Sequence, residues 1–443
     1  MSTRSFLSLI LFWMLPLTGV AFAQGLTSEV PTIVINKGQE SQYPIVTVPF
    51  AYQGSSTPPE TDIGDIVRAD LNRCGQFRSL AKDQVVEFPA RGSDIKFPTW
   101  RLLKQDYIVV GRVLDAGAGE VRVEAELYTV GDQKPLLTNL AISGQRSAMR
   151  GIAHQVADAV YEKITGVRGA FFTRIAYVTA KGSGSNMAYN LMIADSDGYG
   201  PQTVVSSRQP LMSPAWSPDG RRLAYVSFER GNSAIYVQDI ATGAREVVSA
   251  NKGINGAPAF SPDGGRLALA LSHGVNPDIY VLDLGSRKLT QITRHFAIDT
   301  EPTWSPDGSS IVFTSDRSGK PQIYEVSSGG GDGNRITFSG EYNAKPSVSY
   351  DGKKIAMSQG SGNVYHIAVL DRASGTATTI STGSFDESPS FAPNASMILY
   401  AATEGSRDVL YSVSADGRVR QRLVLADGDV RSPAWSPYRQ RGQ

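Results

Sequence analysis

Apolar and polar positions in the second half of the chain recur with a nearly fixed period. Apolar anchors stand at Trp216, Phe260, Trp304, Val348, Phe391 and Trp435, so successive steps are 44, 44, 44, 43 and 44 residues. Each anchor follows a proline by two positions: Pro214, Pro258, Pro302, Pro346, Pro389 and Pro433. In three copies it is followed directly by Ser-Pro-Asp-Gly, at 217–220, 261–264 and 305–308. A period in the low forties is that of an array of propeller blades.

Within one copy the pattern predicts a four-stranded antiparallel meander. Residues 257–261 form a first strand, and Ser261-Pro262-Asp263-Gly264 a tight turn, with proline presetting φ. Residues 267–271, 279–284 and 289–293 then supply three more short, β-branched or aromatic strands. The second strands are apolar at consecutive positions, as sheets covered on both faces require. The ends of the array complement each other. Residues 174–178, 191–194 and 203–205 match strands two, three and four of a copy, while 433–436 match a first strand alone. Together they predict one more blade, closed by the two ends of the array, which removes exposed sheet edges. The expected fold is therefore mainly β: a six-bladed β-propeller over residues 168–443, preceded by a small α/β domain.

The preceding residues have a different texture. Residues 1–23 read as a secretory signal: Arg4, an apolar run from Phe6 to Leu17, and Ala21-Phe22-Ala23 before the cut. That run is shorter than the roughly 20 residues needed to span a bilayer; a retained anchor is the alternative. Residues 24–167 hold the α/β pattern, with a flexible N-terminal segment. Strands are expected at 32–35, 44–48, 106–114 and 121–130. Asp62 should cap a helix carrying Ile63, Ile66, Val67 and Leu71, and Ser147 one carrying Ile152, Val156, Val160 and Ile164, ended by Gly166. Residues 167–173 form a short hinge.

Alternating strand directions sort the loops onto two faces. The Ser-Pro-Asp-Gly turns lie on one, the turn face, and the α/β domain should hang from it. The other, open face receives the starts of the innermost strands. Residues just before each repeated proline should therefore ring the channel mouth. They include Ser213, Asn255, Ala257, Thr300, Glu301, Asn343, Lys345, Asp386, Glu387 and Arg431. Such a mixed polar ring, fed by several loops, can hydrogen-bond an inserted segment of a partner.

Composition removes several alternatives. A net charge of +1 carries no nucleic-acid signature. One cysteine, Cys74, allows no internal disulfide and reads as a bystander thiol. The four histidines lack metal-ligand spacing. Gly329-Gly330-Gly331-Asp332-Gly333 has no Lys-Ser/Thr after it and reads as a long hairpin rather than a phosphate cradle. Asp195-Ser196-Asp197-Gly198 lacks the remaining ligands of a calcium loop.

Asn255-Gly256-Ala257-Pro258-Ala259-Phe260, Thr300-Glu301-Pro302-Thr303-Trp304 and the ending Pro433-Ala434-Trp435-Ser436-Pro437-Tyr438, in this domain order, carry a resemblance. The chain resembles the TolB family, periplasmic propeller proteins of the Tol-Pal system of Gram-negative bacteria, over essentially the whole mature length. The resemblance implies a monomeric, non-enzymatic periplasmic adaptor without a cofactor and without membrane insertion. It implies that the lipoprotein Pal seats on the ring of mouth residues named above. It also implies that a segment near residues 25–37, with Leu26, Val30, Ile33 and Ile35, contacts TolA and switches between docked and free states. The family serves outer-membrane integrity and its invagination at division. The rival reading is an exported propeller hydrolase. It would need carboxylates such as Glu301 and Asp386 to face each other at ~5 Å or roughly 6.5–9.5 Å.

Overall fold

A computed structural model describes residues 33–35, 42–117, 119–272, 276–423, 425 and 428–439. The α/β domain is built on β2 (Tyr43–Thr47), β3 (Ala51–Tyr52), β4 (Phe77–Ser79), β5 (Tyr107–Gly117), β6 (Glu120–Thr129) and β7 (Pro135–Gln145). The sheet order is β4-β2-β5-β6-β7, with β3 beside β5. Two helices, α1 (Ile63–Arg73) and α3 (Met149–Thr165), pack on each other and on the sheet, and a short α2 (Phe97–Leu102) lies between them in sequence. Asp62 caps α1 by accepting from the Gly64 and Asp65 N–H groups at 2.9 and 3.4 Å. Gly166 ends α3 at φ 75°, a left-handed position that costs glycine little. Ser147 does not cap α3. It sits in a single 3₁₀ turn, and the helix starts after Ala148, which has no side-chain acceptor.

The strand expected at 32–35 is found in a different place. Ile33–Ile35, β1, is not part of the α/β sheet. It pairs antiparallel with the outer strand Val419–Arg422 of the last blade, Ile33 opposite Gln421 and Ile35 opposite Val419.

Blade one combines β8 (Arg174–Lys181), β9 (Ala188–Asp195) and β10 (Gln202–Ser207) with the C-terminal strand Asp429–Trp435. Trp435 stands opposite Ile175 and Ala434 opposite Ala176, so the ring closes between its two ends as the pattern predicts. Blades two to six occupy 211–249, 255–291, 299–335, 342–379 and 386–422, each a meander in chain order. Their first strands touch in sequence all the way round, forming the inner wall.

The repeat explains how blades join. The Trp216 and Trp304 indoles donate to the Ala434 and Ala259 carbonyls of the preceding blade, both at 3.1 Å, and that of Trp435 to Thr173 at 2.8 Å. Arg174, Arg222 and Arg266 lie over Trp216, Phe260 and Trp304 at 5.1, 5.3 and 4.8 Å, a cation–π contact. Each turn is also tied within itself. Ser305 Oγ donates to Asp307 at 2.6 Å and accepts from the Ser310 N–H at 2.9 Å. Ser349 repeats this with Asp351 and Lys354, although Tyr350 replaces the proline.

The α/β domain meets the turn-face hairpins of blades one and six. Buried Arg73 donates to Ser196 O at 3.1 Å and Ser196 Oγ at 2.8 Å, and Asn394 Nδ2 donates to Arg168 O at 3.0 Å. One apolar core runs through both, from Val67, Cys74 and Val160 to Ile175, Met397 and Trp435. Burial pushes the Cys74 thiol up to about 12, so it stays protonated and inert.

Candidate functional site: the open mouth of the propeller

A proline in the inner strand has no N–H to give to the ladder. The strand answers with a bulge at that point in all six blades. The pairing slips between Met212 and Ala215, Gly256 and Ala259, Thr300 and Thr303, Ala344 and Ser347, Glu387 and Ser390, and Arg431 and Ala434. The residue before each proline turns left-handed. Ser213, Ala257, Glu301, Lys345, Ser388 and Ser432 have φ of 51°, 46°, 54°, 52°, 57° and 49°. Residues preceding proline ordinarily stay extended, and a non-glycine residue in this region costs about 1–2 kcal/mol. The same strain therefore recurs six times around one mouth. Backbone strain of this kind gathers at functional sites, where the surrounding structure enforces it.

The bulge divides the expected ring into two levels. Asn255, Asn343 and Asp386 stand three residues before their prolines and are fully buried. Their side chains hold the incoming connections rather than facing the channel. Asn255 accepts from Ser249 Oγ at 2.7 Å and donates to Asn251 O at 2.7 Å. Asn343 donates to Ser339 O at 2.8 Å, and Asp386 accepts from the Gly383 N–H at 2.9 Å. Burial raises the Asp386 carboxyl above its ordinary range. Asp386 thus does not line the funnel across from Glu301, and the carboxylate pair that the hydrolase reading needs is not formed by these two.

The second level consists of Ser213, Ala257, Thr300, Glu301, Lys345, Glu387 and Arg431, all half-buried. Neighbouring blades share their groups there. Glu301 Oε2 accepts from Thr314 Oγ1 and the Lys345 N–H, both at 2.9 Å. Lys345 Nζ donates to Ser388 Oγ at 2.8 Å and lies 3.4 Å from Glu387 Oε2. Burial pulls the Lys345 ammonium down, but Glu387 and Glu301 outweigh it and hold it above its usual range. Arg431 pairs with Asp408. Charged mouth residues stand in blades four, five, six and one, as Glu301, Lys345, Glu387 and Arg431, while blades two and three present Ser213 and Ala257.

The pattern of the repeat did not single out one further group. Ile254, Phe296, Phe338 and Phe385 are large, exposed and placed on the connections entering blades three to six. The signal was a large apolar residue four to eight positions before four of the repeated prolines, Pro258, Pro302, Pro346 and Pro389, which reads as nothing until the loops converge. Of the segment assigned to TolA, Ile33 and Ile35 lie on the edge strand of blade six, and Leu26 and Val30 lie outside the described residues.

Among the described residues no helix is long and apolar enough to cross a membrane. Residues 161–439 match the family description "TolB beta propeller domain" and residues 31–136 "TolB amino-terminal domain". The chain is 65% identical over 428 residues to the Tol-Pal system protein TolB of Xanthomonas campestris pv. campestris strain B100, covering 96% of each. It is 64% identical over the same length, and the same 96% of each, to that of Xanthomonas oryzae pv. oryzae strain PXO99A. The crystal structure of TolB from Acinetobacter baumannii superposes with a TM-score of 0.83 at 41% identity, covering 92% of this chain and 100% of that one.

Proposed function

The chain belongs to the TolB family of Tol-Pal system proteins, and from that membership we propose that it is a non-enzymatic periplasmic adaptor. It binds the lipoprotein Pal at the open mouth of the propeller and TolA through its N-terminal segment. In that role it supports outer-membrane integrity and invagination at division. The observation that carries the Pal assignment is the sixfold strained position before the inner-strand prolines. The fold spends backbone energy there without repaying it in its own hydrogen-bond ladder. Ala257 leaves room beside it, and Thr300, Glu301, Lys345 and Arg431 offer a hydroxyl and both signs of charge to an inserted polar segment. The three-residue pairing of β1 with blade six supports the switch. So short an edge strand holds few bonds, and a competing partner strand can displace it. Two partners that bias such a docked segment differently are thermodynamically coupled, each changing the other's affinity by one factor.

Titration calorimetry with soluble Pal tests the first half. Thr300→Trp fills the mouth without removing a named hydrogen bond, and should weaken binding by about tenfold or more, equivalent to ~1.4 kcal/mol, with Tm unchanged. Undiminished affinity would overturn the mouth assignment. Removing residues 24–37 should abolish capture of TolA.

A further inference from the structure

Six near-equivalent blades pose a problem for any inserted segment, because the funnel offers it six similar rotational settings. The apolar residues of the open face break that equivalence. The connections into blades three, four, five and six each leave one large apolar side chain in water: Ile254, Phe296, Phe338 and Phe385. Phe296 and Phe338 are 86% and 79% exposed. The connection into blade two, Ser207-Arg208-Gln209-Pro210, carries none; the apolar residue that blade two does expose at the mouth, Met212, has no aromatic ring and is 39% exposed, about half as much as Phe296 or Phe338. Each aromatic ring also has a neighbour. Tyr365 meets Phe385 and Tyr342 edge-on, both at 5.2 Å, His295 lies 4.2 Å from Phe296, and Arg335 covers Phe338 at 5.4 Å. Preordered aromatic side chains lose little entropy on binding and make strong anchors. Tyr342, Tyr365 and Phe385 join into one aromatic group on this rim, and grouped exposed apolar side chains mark interaction sites.

We infer that this arc over blades three to six sets the rotational register of the bound partner and slows its release. This rests on the reading that Pal docks at the mouth. The Pal surface it fits has a polar tip, which enters the channel, and an apolar flank on one side only, which lies on the arc. The charged groups of the inner ring supply the encounter, and the arc supplies the residence time.

Rapid-mixing kinetics with soluble Pal separates the parts. The variant Phe296→Ser/Phe338→Ser/Phe385→Ser should dissociate about tenfold faster or more, with association changed by less than about twofold. The loss should persist at high salt, where a lost ion pair would be screened. The single variant Phe338→Ser should show part of the same effect, and all should keep the wild-type Tm. Arg208→Ser, on the connection into blade two, should dissociate as wild type does. If the triple variant releases Pal at the wild-type rate while Thr300→Trp loses binding, the arc is refuted and the mouth assignment stands. If Thr300→Trp also binds normally, both fall.

Discussion

The two ends of the propeller are made from one repeat, yet they are finished in opposite ways. On the turn face the repeated turns close on themselves and on the next blade. Ser305 and Asp307 close the turn on themselves, Arg222 donates to Gly264 O in the next blade at 3.1 Å, and Gly264 adopts φ 71° where glycine is at ease. On the open face the equivalent left-handed position is filled by Ser, Ala, Glu or Lys, each ahead of a proline. Exposed phenylalanines surround it. Gly220, Gly264, Gly308 and Gly352 fill the left-handed position of the turn, with Ala395 the exception in blade six, whereas no glycine stands before any of the six inner-strand prolines. The difference separates the end that holds the ring together from the end proposed to receive a partner.

That contrast can be broken by substitutions, beginning with the most damaging. Trp304→Ala removes a buried anchor, its bond to Ala259 O and the surface under Arg266. It should cost about 3–5 kcal/mol in denaturant unfolding, while the folded fraction still binds Pal. Gly264→Ala forces a side chain into a left-handed turn and against Pro218 at 3.4 Å. A loss of about 1–2 kcal/mol is expected. Ser305→Ala deletes the turn's internal bonds and should cost roughly 1 kcal/mol. Ala257→Gly acts in the opposite direction. Relief of strain at φ 46° should leave stability level or raise it by up to about 1 kcal/mol, and Pal affinity should fall because the rim loosens. A clear loss of stability in Ala257→Gly would remove the distinction between the two faces.

Acid sharpens the same comparison. Hydrogen bonds from Ser305, then from the Ser309 N–H and hydroxyl, hold the Asp307 carboxyl down at about 2. Its folded value lies below the ordinary carboxylate value of about 3.9. Its contribution is thus complete above that range and is lost as pH falls toward 2. Asp219, Asp263 and Asp351 shift the same way in their own turns. Asp307→Asn should therefore melt below wild type at pH 6, and the gap should close as pH falls through that window.

The propeller was legible because each blade repeats a proline, an apolar anchor and a turn at a near-constant step, and because the chain ends hold complementary fractions of one blade. The α/β domain was legible only where one residue does a definite job, as Asp62 and Gly166 do. Strands β4 and β7 and helix α2 lack a clean period, and no local signal places Ile33–Ile35 on a blade far along the chain. The mouth was found through strand direction, but its depth was not. The bulge before each proline adds a residue to the strand, so counting back from the proline sends Asn255, Asn343 and Asp386 inside. The linkage of the two domains, where buried Arg73 donates to Ser196 and Arg150 pairs with Asp197, joins residues too distant in sequence for any motif to show.

Amide hydrogen exchange of the full chain, with and without soluble Pal, tests the division of labour between the two faces most directly. Slowed exchange on Pal addition is expected near residues 254–257, 296–301, 338–345 and 385–388, with the turns at 217–220, 261–264 and 305–308 unchanged. Protection of those turns, with the open-face segments exchanging as before, would contradict it.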